Sequence, residues 1–226
     1  KTGGYPLYVE ELVRSLLDKG QLVRTDAGLR LTGSLRETEV PDTIHDIIMA
    51  RIDRLDGEVK RTLQLASVVG QEFDLALIQA VAEMPPEALL EQLDQLKAQE
   101  FIDETAVFPE RRYAFRHSLT QEVAYGSLLQ RRRDEWHGRV AAALARLAGD
   151  KLDDHLPALA DHYARSADRE KALHYLLLAG DQAARRYMHG PAQSHWERAL
   201  GLVDSGPDDP ERRRQLLDRL GAAHFA

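Results

Sequence analysis

The chain has 226 residues, 43% hydrophobic and 30% charged, which is enough apolar content for a buried core and excludes a disordered tail. It has no cysteine, so disulfide frameworks and thiolate metal sites are excluded, and a reducing, cytoplasmic setting is expected. The net charge of −7 argues against nonspecific nucleic-acid binding as the main activity, because neutralising phosphates needs clustered Lys and Arg.

No apolar run approaches the ~18 residues needed to cross a bilayer. The opening Lys1-Thr2-Gly3-Gly4 is neither an initiator Met nor a signal peptide, and reads as the start of a piece cut from a longer protein. From Glu110 to Arg146 eight Arg face four acidic residues, a local excess that reads first as a solvated helical face.

In chain order, Leu12, Val13, Leu16 and Leu17 recur at helical spacing up to a stop at Gly20. Leu22-Val23 and Leu29-x-Leu31, either side of Asp26-Ala27-Gly28, predict a small hairpin. Thr32 to Pro41 reads as a polar linker. Asp42 or Thr43 can cap a helix with the stripe Ile44, Ile47, Ile48, Ile52 and Leu55. Asp56 can cap a second, with Val59, Leu63, Ala66 and Val69 inward and Gly70 past its end. Asp74 starts a third, Met84-Pro85-Pro86 breaks it, and a fourth carries Leu89, Leu90, Leu93 and Leu96. Phe101-Ile102, Val107-Phe108 and Tyr113-x-Phe115 predict short strands, so helices followed by a hairpin suggest a winged helix over roughly 56–117.

Beyond His117 the chain reads as helical. Leu119, Val123, Ala124 and Leu128 line one predicted helix, and Trp136, Val140, Ala143, Leu144 and Leu147 line the next. Ala160, Tyr163, Ala172, Leu176 and Ala179 take the spacing of a tetratricopeptide (TPR) helix pair, and Ala192, Trp196 and Ala199 fit the second-helix half of another. Leu217-x2-Leu220 reads as the first helix of a further, truncated repeat, which would leave both leucines exposed.

The sequence carries no G-x-x-x-x-G-K-[ST], G-x-S-x-G or H-E-x-x-H, so no catalytic residues are assigned. His155, Asp161 and His162 are the best metal candidates, but Pro157 interrupts the helix they would share; an interhelical or surface pair is the preferred reading and no metal site is assigned. The helix after Pro86 would be the recognition helix of a DNA-binding winged helix. It carries Glu87, Glu91, Asp94 and Glu100 against Lys97, and would repel a duplex.

Three segments carry a family resemblance. Thr2-Gly3-Gly4-Tyr5-Pro6-Leu7-Tyr8-Val9-Glu10-Glu11-Leu12 resembles the T-G-G-N-P-L-F-V-E-E-L segment of signal-transduction ATPases with numerous domains, the STAND class. Val40-Pro41-Asp42-Thr43-Ile44 with Ala50-Arg51-Ile52-Asp53-Arg54-Leu55 is similar to V-P-x-T-[IL]…A-R-[IL]-D-R-L, and Phe115 to Tyr125 to F-x-H-x-L-x-Q-x-V-A-Y, of the ATPase-plus-repeat proteins that follow bacterial class III adenylate/guanylate cyclase domains.

The resemblance implies a nucleotide switch whose P-loop domain lies upstream. Gly4-x-Pro6 would match the G-x-P motif whose proline packs on adenine; alternatively Pro6 simply opens a helix. His117 would match the histidine of the M-H-D motif, which contacts the β-phosphate of ADP, although Arg116 and Ser118 replace its neighbours. The other reading of His117 is a helix N-terminal residue satisfied by local polar groups. Gly4, Pro6 and His117 are therefore the candidate nucleotide-binding residues, with Pro6 and His117 expected on one cleft.

The expected fold is mainly α: the end of a helical lid region with a small hairpin over 1–40, a winged-helix domain with flanking helices over 41–133, and truncated TPR-like repeats over 134–226. The expected function is regulatory, coupling the ATP/ADP state of the parent (with Mg) to a protein partner held by the repeats or to an effector such as an adenylate or guanylate cyclase. Neither DNA nor membrane is an expected partner, and this chain alone is not expected to hold nucleotide. Two alternatives stand beside it: part of a large ATP-binding transcriptional regulator, and a non-catalytic TPR scaffold.

Overall fold

The structure, a computed structural model, describes residues 6–18, 20–25, 28–32, 43–108, 110–207 and 209–224. The linker expected after Thr32 lies outside them. Helix α1 (Pro6–Asp18) opens on proline, whose missing N–H is no loss in a first turn. Strands β1 (Leu22–Thr25) and β2 (Gly28–Leu31) form the expected hairpin, with Leu22 opposite Leu31 and Thr25 opposite Gly28.

Thr43 caps α2 (Ile44–Ile52) by accepting from the Asp46 N–H, and Asp56 caps α3 (Gly57–Val69) by accepting from the Glu58 N–H. A short strand β3 (Glu72–Asp74) leads into α4 (Leu75–Val81). Asp74 stands at the N-cap of α4 but directs its carboxylate to Arg112, 2.7 Å away, rather than to the helix. α5 (Pro86–Ala98) starts on Pro86, and β4 (Ile102–Ala106) and β5 (Arg112–Phe115) follow.

The helices α6 (Ser118–Gly126), α7 (Gln130–Ala148), α8 (Leu156–Ala164), α9 (Arg169–Arg185), α10 (His189–Asp204) and α11 (Pro210–His224) complete the chain, with a 3-10 segment (Gly149–His155) before α8. The fold is mainly α, as expected. The order α3-β3-α4-α5-β4-β5, with sheet order β3-β5-β4, is that of a winged helix.

Two strand assignments are corrected. β3 is a strand not expected from the sequence; with one apolar residue, Phe73, in three positions it shows no alternation, and its place comes from backbone pairing around β5. Val107-Phe108 is not a strand. It follows the end of β4 and both side chains are exposed, Phe108 by 89%. The strand is instead the polar run Ile102–Ala106, whose pairing with β5 decides its extent.

Packing divides the chain into two compact units, each discontinuous in sequence. The first comprises Lys1–Glu72, Pro85–Thr105 and Tyr113–Ser127. Its core holds Ile47, Ile48 and Ile52 of α2, Leu63 and Ala66 of α3, Leu93 and Leu96 of α5, and Phe101, Ile102, Tyr113 and Phe115 around the sheet. Polar contacts fix α3 against its neighbours. Buried Thr62 donates to Gln92, Gln64 donates to Ser127 Oγ at 2.8 Å, and Gln121 donates to the Ser67 carbonyl at 2.8 Å.

The second unit comprises Phe73–Met84, Ala106–Arg112 and Leu128–Ala226. In it α9 packs on both α8 and α10, and α10 packs on α11, so each helix is buried by its sequence neighbours. The residues of the TPR spacing, Ala160, Tyr163, Ala172, Leu176 and Ala179, are all buried, as are Ala192, Trp196 and Ala199. Two expectations are corrected here. Leu147 is half-exposed, because α7 turns its buried face through Trp136, His137, Val140, Ala141 and Ala143. In α11 the anchor is Leu216, with Leu220 partly buried beside it, and Leu217 alone is exposed; the apolar pair is Leu216 and Leu220, one turn apart.

Small residues make room for the Trp196 ring in this array. A Cβ at Gly180 would lie 2.6 Å from Trp196 Cδ1 and closer still to its Nε1. Gly180→Ala is therefore expected to destabilise the helical array by about 1–3 kcal/mol, although alanine is the better helix former. Urea denaturation followed by circular dichroism measures this. A midpoint at or above that of the unsubstituted chain would mean that the Trp196 ring moves aside freely.

Candidate functional site

The site lies in the first unit and is built on the way α5 ends. The Phe101 N–H donates to the Leu96 carbonyl at 3.0 Å and the Glu100 N–H to the Lys97 carbonyl at 2.9 Å, the paired bonds of a Schellman cap. The position that closes such a cap takes a positive φ and is usually glycine. Here it is Glu100, with φ 59°, at a cost of about 1–2 kcal/mol. Buried Arg51 completes the turn by donating to the Gln99 carbonyl at 2.7 Å, with its guanidinium 4.6 Å from the centre of the Phe101 ring.

Arg116, just past β5, donates from its backbone to the Phe101 carbonyl at 3.1 Å. Its side chain grips Asp103 on β4 through two bonds, Nε to Oδ2 at 2.9 Å and Nη2 to Oδ1 at 2.6 Å. The hydrogen bonds from Arg116 hold the Asp103 carboxyl below its ordinary range, against the opposing effect of burial. A further guanidinium nitrogen of Arg116 reaches Glu100 at 3.1 Å. On its other side the Glu100 carboxylate receives Arg14 of α1 at 2.5 Å, and Arg14 also donates to Glu10 one turn earlier at 2.6 Å. Glu10 in turn stands 3.7 Å from His117 Nε2. The result is a chain of charges, Asp103–Arg116–Glu100–Arg14–Glu10, running from the sheet to α1 and ending beside His117.

Beside this chain of charges is a cleft of about 700 Å³, lined by Val9, Glu10, Val13, Arg14 and Leu17 of α1, Arg24 of β1, Arg51, and the end of α5 from Ala98 to Glu100. Its walls are apolar toward α1, with three guanidinium groups and two carboxylates around them.

The expected nucleotide-binding residues fall as follows. Gly4 lies outside the described residues. Pro6 is described as the first residue of α1, and its side chain lies outside what is described. His117 occupies the N-cap position of α6 without capping it. Its Nε2 is buried and has no hydrogen-bond partner among the described residues. Arg116, which departs from the resembled motif, is the hub of the ion network. Glu10, Arg14 and Glu100 were not singled out for a site from the sequence. The available signals were a Glu10-x3-Arg14 pair at helical spacing and a glutamate where a helix stop favours glycine.

His155, Asp161 and His162 go to different places. Asp161 pairs with Arg198, and His155 lines a separate cleft with Leu144, Leu147 and Lys151. His162 meets His137 of α7, Nδ1 to Nδ1 at 2.9 Å, a contact in which one neutral ring donates and the other accepts. Among the described residues no group of three or more His, Asp or Glu is placed to hold a metal ion, and no helix is long and apolar enough to cross a membrane.

No family model matches the chain. It is similar to an uncharacterised protein of Rhizobium meliloti (strain 1021), 29% identical over 202 residues that cover 89% of this chain and 19% of that protein. It is also similar to hybrid signal transduction histidine kinase G of Dictyostelium discoideum, 28% identical over 105 residues that cover 45% of this chain and 3% of the kinase. The chain thus spans about a fifth of the length of the first relative and a small fraction of the second.

The histidine pair generates a pH dependence. Burial pushes His137 down to about 3, with repulsion from His162, Arg165 and Arg133 adding to it. Burial likewise pushes His162 down to about 4, with Arg165 adding and Asp161 opposing. An unfolded histidine takes its proton near 6.5, so from there down to about 4 the unfolded chain binds more protons, and stability falls as pH falls through that window. Urea midpoints measured from pH 7.5 down to 4.5 should decrease, and His162→Gln, which removes one titration, should make the slope shallower. An identical slope in the variant would mean that other groups set the acid sensitivity.

Proposed function

We propose that this chain is the regulatory part of a nucleotide-dependent signalling switch of the STAND class, in which an upstream P-loop domain of the parent holds ATP or ADP with Mg. The observation that supports this reading is His117 Nε2, at the junction between the sheet and α6, which is buried, has no hydrogen-bond partner among the described residues and lies 3.7 Å from the Glu10 carboxylate. A buried imidazole nitrogen without a hydrogen-bond partner is open to a ligand, and in the tautomer that carries its proton on Nε2 it donates to an anionic oxygen. Arg116 beside it is committed to Asp103 and Glu100, so His117 is the residue at this corner able to take a ligand.

Two further observations support the reading. The relatives are much longer than this chain, and one carries signal transduction in its name. The helices from α8 to α11 form a stack of the kind that presents a protein-binding surface, and we assign them the partner-binding role. The exposed face of α5 carries Glu87, Glu91 and Asp94, which argues against a duplex as that partner. In this scheme the chain contributes ligand contacts and a moving surface to a switch whose chemistry lies elsewhere in the parent, which we place in the cytoplasm.

Two measurements test it. This chain by itself should turn over neither ATP nor a cyclase substrate; turnover lost on substituting one of its own residues would overturn the assignment. In the full-length parent, His117→Ala should weaken ADP retention by about 1–3 kcal/mol, the loss of one hydrogen bond to a charged group. His117→Gln, which keeps an N–H donor, should recover part of it. Unchanged ADP affinity in a folded His117→Ala protein would make His117 a structural residue and remove the main support for the switch.

A further inference from the structure

We infer that Glu100 is the bolt of a charged latch that holds α1 closed over the cleft at the end of α5. The latch is defined by contacts within the first unit and does not require a nucleotide.

Three features of the geometry lead to it. The first is the backbone. Glu100 sits at φ 59° in the closing position of the α5 cap, where glycine would be unstrained, so the turn itself gains nothing from a side chain there. What the glutamate adds is a carboxylate placed between two guanidinium groups, Arg14 at 2.5 Å and Arg116 at 3.1 Å.

The second is the difference between the two sides of the latch. Arg116 is anchored independently by its two bonds to Asp103, so the sheet side stays in place when Glu100 is removed. Arg14 belongs to α1, and a second carboxylate that it meets among the described residues, Glu10, sits one turn away on the same helix and travels with it. The Arg14–Glu100 pair therefore ties a movable element to a fixed one.

The third is the space. α1 packs on α2 and buries Leu16, while the face carrying Val9, Val13 and Leu17 borders open space of about 700 Å³ rather than a filled core. A helix seated along one side, bordering a cleft on another, and joined across it by an ion pair is built as a lid. The pair is partly exposed, 15% at Arg14 and 42% at Glu100, so water and salt reach it and its hold is modest. A modest hold is what allows a lid to open locally while the core beneath remains folded.

Hydrogen exchange on the full chain tests this with two variants. Glu100→Gly removes the carboxylate and relieves the positive φ; Glu100→Gln removes the charge and keeps the φ. In both, amides of α1 should exchange roughly threefold to tenfold faster, while those of α3, α5 and β5 keep their protection. Raising KCl to ~0.5 M should speed α1 exchange in the unsubstituted chain and add little in either variant. Unchanged α1 exchange in both variants would overturn the latch. Faster exchange in α5 and β5 together with α1 would also overturn it, because Glu100 would then be holding the turn and not the lid.

Discussion

The two-bond grip of Arg116 on Asp103 is the contact on which the arrangement of the candidate site depends. It joins β4 to the residue that leaves β5, and the Arg116 N–H adds a bond to the Phe101 carbonyl at the foot of the same hairpin. The direction in which the chain enters α6 is thereby set, and with it the position of His117. The grip also leaves one guanidinium nitrogen turned toward Glu100, so a structural pair in the sheet becomes the fixed end of a longer chain of charges reaching α1. A bidentate arginine–carboxylate pair has the geometric definition for this role that a lysine pair lacks.

The two units are held together internally by different physics. In the helical array the order comes from size: alanines and Gly180 bring helices close, and Trp196 fills the space they leave. Its paired histidines, His137 and His162, stay neutral, one ring donating to the other, which keeps their charge out of the α7–α8 contact. In the first unit the core is apolar, built of aliphatic side chains with Phe101, Tyr113 and Phe115, but α1 meets the end of α5 through ions beside an open cleft. Close-packed contacts resist graded movement, whereas partly exposed ion pairs break and reform at small cost. The element best suited to move is therefore the one held by charge.

The sequence by itself determined the elements that local chemistry controls. The stripe Ile44, Ile47, Ile48 and Ile52, the caps Thr43 and Asp56, the break at Pro85-Pro86 and the small-residue spacing from Ala160 to Ala179 are each decided within a few residues, and all appear in the structure as read. His117 was legible as a candidate through its neighbours in the chain. Only the tertiary structure decided the rest. β3 has too few residues to show a period, Val107-Phe108 is apolar yet exposed, and Leu216 rather than Leu217 was chosen by its neighbours on α10. The Arg14–Glu100–Arg116 bridge joins residues far apart in the chain, each unremarked alone as one more charge on a helix or strand end. Periodicity reports which side of an element faces inward; it carries no information about which distant charge will stand opposite, because that is set by how the elements pack.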